Sequence, residues 1–223
     1  MSKKELVLFS GGPDSTVLLK QFLEEKRNIH VLYINMGWSL ELQKRNKLQR
    51  KSVINIINYL RLKYGYFDFS ESEINVNLPF SLMEHFGKDD QWCVFLASFF
   101  CKAFQYKKIW LGHFTFNVAN GSIFRKHDPR GSWYENGSLY YYVKIAFRND
   151  PIYKKIKICI PLNVYKGKGI DRFKDKKEAW DYLDKDLKNM VRSCIGDKLF
   201  CGECNKCKQD IYYNKRDKEG NII

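Results

Sequence analysis

Ser10-Gly11-Gly12-Pro13-Asp14-Ser15 stands between an apolar run and the start of a helix, and its residue types suit the binding of a pyrophosphate. Adjacent glycines let the backbone turn tightly and come close to an anion. N–H groups at the helix start, backed by the positive end of the helix dipole, then face the phosphate oxygens. Ser10, Ser15 and Thr16 add hydroxyl donors. Asp14 repels phosphate directly, so its expected work is to hold a magnesium ion or to cap the helix. The plainer alternative is a Gly-Gly turn with a Ser/Asp cap, and the strand–loop–helix context is what separates the two.

A second constellation lies near the other end, where Cys194, Cys201, Cys204 and Cys207 fall within a stretch of 14 residues. Four thiolates at these spacings suit one tetrahedral zinc ion. Gly202 allows the tight turn between the ligands, and Cys194 closes the shell from a preceding helix. An iron-sulfur cluster, disulfides, or unlinked buried cysteines are the rival readings. Cys93 and Cys101 lie in apolar helical sequence, where core packing is the expected role.

The elements that must position these groups follow from the apolar pattern. Leu6-Val7-Leu8-Phe9 reads as a buried parallel strand, and Leu18, Leu19, Phe22 and Leu23 as the apolar stripe of the next helix. Residues 28–34 read as a second strand, 41–63 as a long helix with Val53, Ile56, Ile57 and Leu60 on one face, and 73–77 as a third strand. An almost wholly apolar helix over 91–105 precedes a short strand, 108–111, that ends at Gly112. Residues 156–162 read as another strand, 174–191 as one charged helix, and 214–223 as a fraying tail. This alternation predicts a doubly wound parallel α/β sheet, with ligands at the carboxyl ends of the strands, where Gly12, Gly37 and Gly112 fall. Residues 114–150, with Asn136-Gly137, Pro129-Arg130-Gly131 and Tyr140-Tyr141-Tyr142, read as a loop and hairpin insertion over the site. The expected organisation is an α/β domain over 1–192 and a zinc-binding segment over 193–223.

Composition narrows the function classes. A chain of 223 residues with 44% hydrophobic content can bury one substantial core. It contains no apolar run long enough to cross a membrane and no signal-peptide start, so a cytoplasmic location and no membrane partner are expected. Seven cysteines, four of them clustered as ligands, agree with a reducing compartment. Lysine and arginine number 39 against 25 acids, a net charge of +14 that would favour nucleic acid, an acidic protein or a polyphosphate substrate. The basic residues are spread along the chain, so drift toward lysine is an equal reading.

The loop has neither a Gly-x-Gly-x-x-Gly spacing nor a Gly-Lys-Ser/Thr ending, and resembles instead the signature of the N-type ATP pyrophosphatases, which split ATP into AMP and pyrophosphate while adenylating a substrate oxygen. The two motifs together resemble one family among them, the 7-cyano-7-deazaguanine synthases of the queuosine pathway. The likeness is carried by residues 10–15, Ile34-Asn35-Met36-Gly37, Trp110-Leu111-Gly112, Ile160-Pro161-Leu162, Ser193-Cys194 and Cys201-Gly202-x-Cys204-x-x-Cys207. The resemblance implies a homodimeric, zinc-containing ligase that uses ATP, magnesium and ammonia to turn 7-carboxy-7-deazaguanine into the nitrile. It also implies nucleotide contacts from Phe9, Ser10, Gly11, Gly12, Asp14, Ser15, Thr16, Gly37 and Gly112. Asp14 and either Lys166 or Lys168 would handle phosphate charge.

Departures fall on the substrate side. Asp89-Asp90-Gln91-Trp92-Cys93 stands where the family opens its apolar helix with Gly-Arg-Asn. In place of the family's acidic residues and Pro-Asp-Cys-Arg segment the chain has Asn117, Asn120 and Asp128-Pro129-Arg130. Another carboxylate, such as a protein C-terminus, is therefore a second substrate reading. A tRNA sulfurtransferase and a non-catalytic, zinc-containing nucleic-acid-binding module are the rivals from other classes.

Overall fold

The computed structural model describes residues 4–37, 43–75, 89–112, 156–159, 173, 176–194, 200–212 and 215–222. Five strands form one sheet: β1 (Glu5–Leu8), β2 (Ile29–Gly37), β3 (Asp68–Asn75), β4 (Lys108–Leu111) and β5 (Lys157–Cys159). Their order is β3-β2-β1-β4-β5, and every pairing is parallel. Six helices accompany them among the described residues: α1 (Pro13–Glu24), α2 (Gln43–Tyr64), α3 (Asp89–Phe104), α4 (Lys176–Asp181), α5 (Lys185–Met190) and α6 (Asn205–Tyr212). The chain order reverses direction across the sheet beside β1, so the crevice at the carboxyl ends of β1 and β4 is the topological switch point, where such sheets bind ligands.

Alternation along the strands builds two cores. Val7, Phe9, Val31 and Tyr33 face α1, α2 and the C-terminal helices, packing with Leu18, Phe22, Val53, Ile56, Leu60, Trp180 and Leu187. Leu6, Leu8, Leu32 and Ile34 point the other way, onto Val94, Ala97 and Cys101 of α3. Helices therefore cover both faces of the sheet, which is the doubly wound arrangement expected from the sequence.

Four boundaries differ from the sequence reading, each for a local reason. Strand β2 runs on to Gly37 because β3 pairs with it continuously from His30↔Asp68 to Gly37↔Asn75. β3 itself begins at Asp68, five residues before its expected start; it is an edge strand, whose polar residues hide the alternation. The expected single helix over 174–191 is two, because Asp184 takes an extended conformation and caps α5, accepting a hydrogen bond from Leu187 N–H at 3.0 Å. Residues 215–222 do not fray. Arg216 bridges to Ile222 in antiparallel fashion, Arg216 Nη1 donates to the Gly220 carbonyl at 2.7 Å, and Ile222 packs on the larger core.

The expected insertion over 114–150, the strand residues beyond Cys159, and Lys166 and Lys168 lie outside the described residues. No helix among the described residues is long and apolar enough to cross a membrane.

Candidate functional site

Gly11 is the hinge of the loop between β1 and α1. Its φ of 71° lies in the left-handed region, and a Cβ there would come within 2.8 Å of Val53 Cγ2. Only glycine combines that conformation with so close a neighbour. Gly12 then turns extended, with φ −81° and ψ 164°, and serves as the N-cap of α1. Pro13 at the first helical position has no N–H to leave unpaired, and the helix start directs its remaining amides outward.

The hydroxyls of the loop act on the loop itself. Thr16 Oγ1 and Ser15 Oγ both donate to the Gly12 carbonyl, at 2.8 and 3.1 Å. Ser10 and Ser15 hydroxyl oxygens lie 3.1 Å apart, and Ser10 Oγ accepts from Gly12 N–H at 3.4 Å. Thr16 is wholly buried, as Phe9 nearly is, so those two side chains hold the loop's shape. Asp14 sits in the first turn of α1, where a carboxylate suits the dipole; the cap residue is Gly12, so Asp14 does not cap the helix.

Gly112, at the end of β4, explains itself by packing. A Cβ there would lie 2.4 Å from Ser15 Cα and 2.9 Å from the Asp14 carbonyl oxygen, so β4 ends directly against the first turn of α1. Gly37 ends β2 at the same edge of the sheet.

Three polar residues of α2, which spacing alone did not single out, brace this edge. Asn46 Nδ2 donates to the Met36 carbonyl at 2.9 Å, Gln49 Nε2 to the Ser10 carbonyl at 2.9 Å, and Ser52 Oγ to the Gly11 carbonyl at 3.4 Å. Their signal in the sequence is polar residues at i, i+3 and i+6, directly preceding the apolar stripe that starts at Val53.

The four expected cysteines do come together. Their sulfurs all lie within 4.8 Å of one another, with Cys201 to Cys207 at 3.9 Å and Cys194 to Cys204 at 4.0 Å. Ligands at about 2.3 Å around one tetrahedral ion stand about 3.8 Å apart, so these sulfurs fit a single ion. The thiolates of a four-iron cluster each bind a different iron and stand farther from one another. Cys201 Sγ accepts from Cys204 N–H at 3.4 Å, and Cys204 Sγ from Cys207 N–H at 3.5 Å. The Cys204 N–H is the main cause that brings the Cys201 thiol down to about 6, toward the thiolate a metal needs. Gly202, with φ 75°, makes the turn between them, as the spacing predicts. Outside the cluster, Cys101 is buried in the core against Val94 and Ala97, and burial pushes its thiol up to about 12, in keeping with a packing role.

A doubly wound α/β protein is thus defined, with a Gly-Gly loop opening a helix at its switch point and a four-thiol cluster able to hold a metal. No protein-family model matches the sequence, and no curated protein matches it. Among solved structures, the fold is similar to that of a U34-tRNA thiolase, NcsA from Methanococcus maripaludis, determined with its [4Fe-4S] cluster. That match has a TM-score of 0.44 and 14% identity, over 84% of this chain and 55% of that one.

Proposed function

We propose that the protein uses ATP to adenylate an oxygen of its substrate, releasing pyrophosphate, and then transfers nitrogen to the activated carbon. The observation that carries this reading is the loop of residues 10–15. It has a left-handed Gly11, an extended Gly12 and a helix start, and it lies at the switch point of a parallel sheet. The preferred substrate is 7-carboxy-7-deazaguanine, with ammonia as nitrogen donor and the nitrile as product. A protein C-terminal carboxylate is the next candidate.

A carboxylate is a poor electrophile because its leaving group would be oxide. Attack of its oxygen on the α-phosphorus of ATP expels pyrophosphate and installs AMP as a leaving group. Ammonia then attacks the acyl carbon, AMP departs, one proton is lost to solvent, and an amide results. A second adenylation of the amide oxygen, with release of pyrophosphate, followed by loss of AMP and of both protons on the nitrogen, yields the nitrile. The loop amides of α1 are suited to the charge that grows on the departing pyrophosphate. Asp14 is the residue suited to hold a magnesium ion, which would neutralise phosphate charge. No protein nucleophile is required.

Cys194, Cys201, Cys204 and Cys207 would hold zinc in a closed, structural site, because four thiolates leave no position for a substrate. The protein is proposed to work as a homodimer in the cytoplasm. A second reading, ATP-dependent sulfur transfer to tRNA, has in its favour the four thiols carried so near the loop. It requires an iron-sulfur cluster or a reactive thiol.

One experiment separates the readings. The purified protein is incubated with ATP, magnesium, ammonium and 7-carboxy-7-deazaguanine, and the products are identified by mass spectrometry, with metal analysis alongside. AMP, pyrophosphate and the amide or nitrile, with about one zinc per chain, are expected. Iron with visible charge-transfer absorbance would move the assignment to sulfur transfer, and absence of AMP with every carboxylate would end the adenylation reading.

A further inference from the structure

Helix α2 contains seven basic residues and no acid in its 22 positions, so this one element carries +7 in a chain of net charge +14. The basic residues look dispersed in the linear sequence, but the helical period sorts them. Arg50 is matched by Glu71, with bonds of 2.6 and 2.9 Å, and Lys63 by Asp184 at 2.9 Å. Arg61 donates to the Phe67 carbonyl at 2.8 Å. Lys44, Lys47 and Lys51 are exposed and have no carboxylate partner among the described residues. At i, i+3 and i+7 they form one row, about 10 Å long at 1.5 Å per residue.

Two features make this more than a solvated face. The first turn of α2 has no acid, and Lys44 stands there against the positive end of the helix dipole, an arrangement that an added anion relieves. The opposite face of the same helix braces the loop through Gln49 and Ser52, so the lysine row lies about one helix diameter, ~10 Å, from the candidate site. The row continues in the exposed Asn55 and Asn58, and the apolar residues beside it, Leu48 and Ile54, are half-buried rather than exposed. A protein partner or a membrane needs an exposed apolar anchor, whereas a phosphodiester backbone needs only the charge.

We propose that the outward face of α2, through Lys44, Lys47 and Lys51, docks a nucleic acid by its phosphodiester backbone, beside the loop and independently of what the loop binds. The test is fluorescence anisotropy of a labelled RNA hairpin with the whole chain, between about 50 and 200 mM salt. The K44E/K47E/K51E variant is compared with K26E/K157E/K185E, which makes the same change in net charge on exposed residues elsewhere. The expected result is at least a tenfold loss of affinity at low salt in the α2 variant alone. Its slope of log affinity against log salt should fall by about 2 to 3, close to 0.9 per lost phosphate contact. Should the reversal fail to fold by circular dichroism, K44Q/K47Q/K51Q gives the same comparison. No binding by the unmodified protein, equal loss in both triple variants, or equally strong binding of a polyglutamate peptide would overturn the proposal. AMP binding, measured by calorimetry on the same samples, keeps the two readings apart: its absence counts against the ATP reading and leaves the RNA result standing.

Discussion

The backbone N–H of Arg192 donates to the carbonyl of Gly11 at 3.1 Å, so the segment leading to Cys194 is tied to the hinge of the loop between β1 and α1. Ser52 of α2 reinforces the tie from the third side. Its hydroxyl lies 2.5 Å from the Met190 carbonyl and 3.4 Å from that of Gly11. The loop and the thiol cluster are far apart in sequence, yet only Ser193 separates the residue that touches Gly11 from the first cysteine of the cluster. The folded tail adds a further hold: Lys215 pairs with Asp210 at 3.5 Å, both buried, and Arg216 Nη2 donates to the Lys188 carbonyl at 3.3 Å.

This tie predicts that metal and nucleotide bind with positive coupling. Removing the metal with a chelator frees Cys194 and with it the segment that orders Gly11, so AMP affinity should fall several-fold and recover on adding zinc back. Because coupling is reciprocal, saturating AMP should slow metal loss by a matching factor. Calorimetry on metal-loaded and metal-free protein checks the first, and a colorimetric zinc-release assay the second. Equal AMP affinity in both forms would mean that the cluster and the loop act separately.

Replacing Asp14 with alanine should abolish AMP formation while leaving the thermal midpoint within a few degrees of the parent. Gly12 caps α1 without a hydrogen bond from that carboxylate, and the dipole contact that the first-turn carboxylate makes is worth about 0.3 to 1 kcal/mol. Full turnover in a folded variant would remove Asp14 from the phosphate chemistry.

Acid should weaken the fold through His30. Its ring is buried, with Nδ1 2.8 Å from the Tyr106 hydroxyl and Nε2 2.8 Å from Ser70 Oγ, and it is surrounded by Phe100 and Phe104. Burial holds its pKa below the ordinary 6.5; of the charges facing it, Lys4 lowers the pKa and Asp68 raises it. The neutral ring is therefore the native form. Its contribution is whole above pH 6.5 and is lost as pH falls from there through the depressed folded value. Urea unfolding at pH 7.5 and at successive steps below 6.5 should show this fall, and His30→Phe should lack that part of it. Asp68, whose pKa its hydrogen bond with Lys4 lowers, acts in the same sense, but its contribution begins to be lost only as pH falls below the ordinary carboxylate value of 3.8.

The central sheet was legible because its strands are short apolar runs with a glycine at or just beyond their carboxyl ends, and buried parallel strands read as such runs. The edge strand was legible only in part, since Ser70, Glu71, Ser72 and Glu73 are held there by pairing with β2 rather than by their own preference. The cysteine cluster was plain from spacing alone, because one ion with four ligands imposes short sequence separations. The Gly11–Arg192 bond could not be read, since backbone hydrogen bonds leave no mark in residue type. Asn46, Gln49 and Ser52 carried a faint mark, as polar residues where helical spacing would allow apolar ones.

Two glycines of the site should respond oppositely to alanine, and the contrast tests whether the loop is a phosphate cradle or only a turn. At Gly112 a Cβ would stand 2.4 Å from Ser15 Cα and 2.8 Å from Ser15 N, both backbone atoms that cannot move without displacing α1. Gly112→Ala should therefore lower stability by about 1 to 3 kcal/mol, as overpacking does, and nucleotide affinity would fall with it. At Gly12 the backbone is extended, and the nearest atoms to a Cβ are Ser10 Oγ at 3.4 Å and the Arg192 carbonyl oxygen at 3.7 Å. The free protein thus has room for a methyl group there, and Gly12→Ala should leave the melting temperature nearly unchanged. If phosphate oxygens come within hydrogen-bond distance of this backbone, the same methyl group occupies their approach, and AMP or ATP affinity should drop at least tenfold. Calorimetric titration of nucleotide into both variants, beside thermal melts of each, reads the two effects separately. A stable Gly12→Ala protein that binds nucleotide as well as the parent would leave the glycine without a ligand to explain it, and the loop would then be a helix-starting turn.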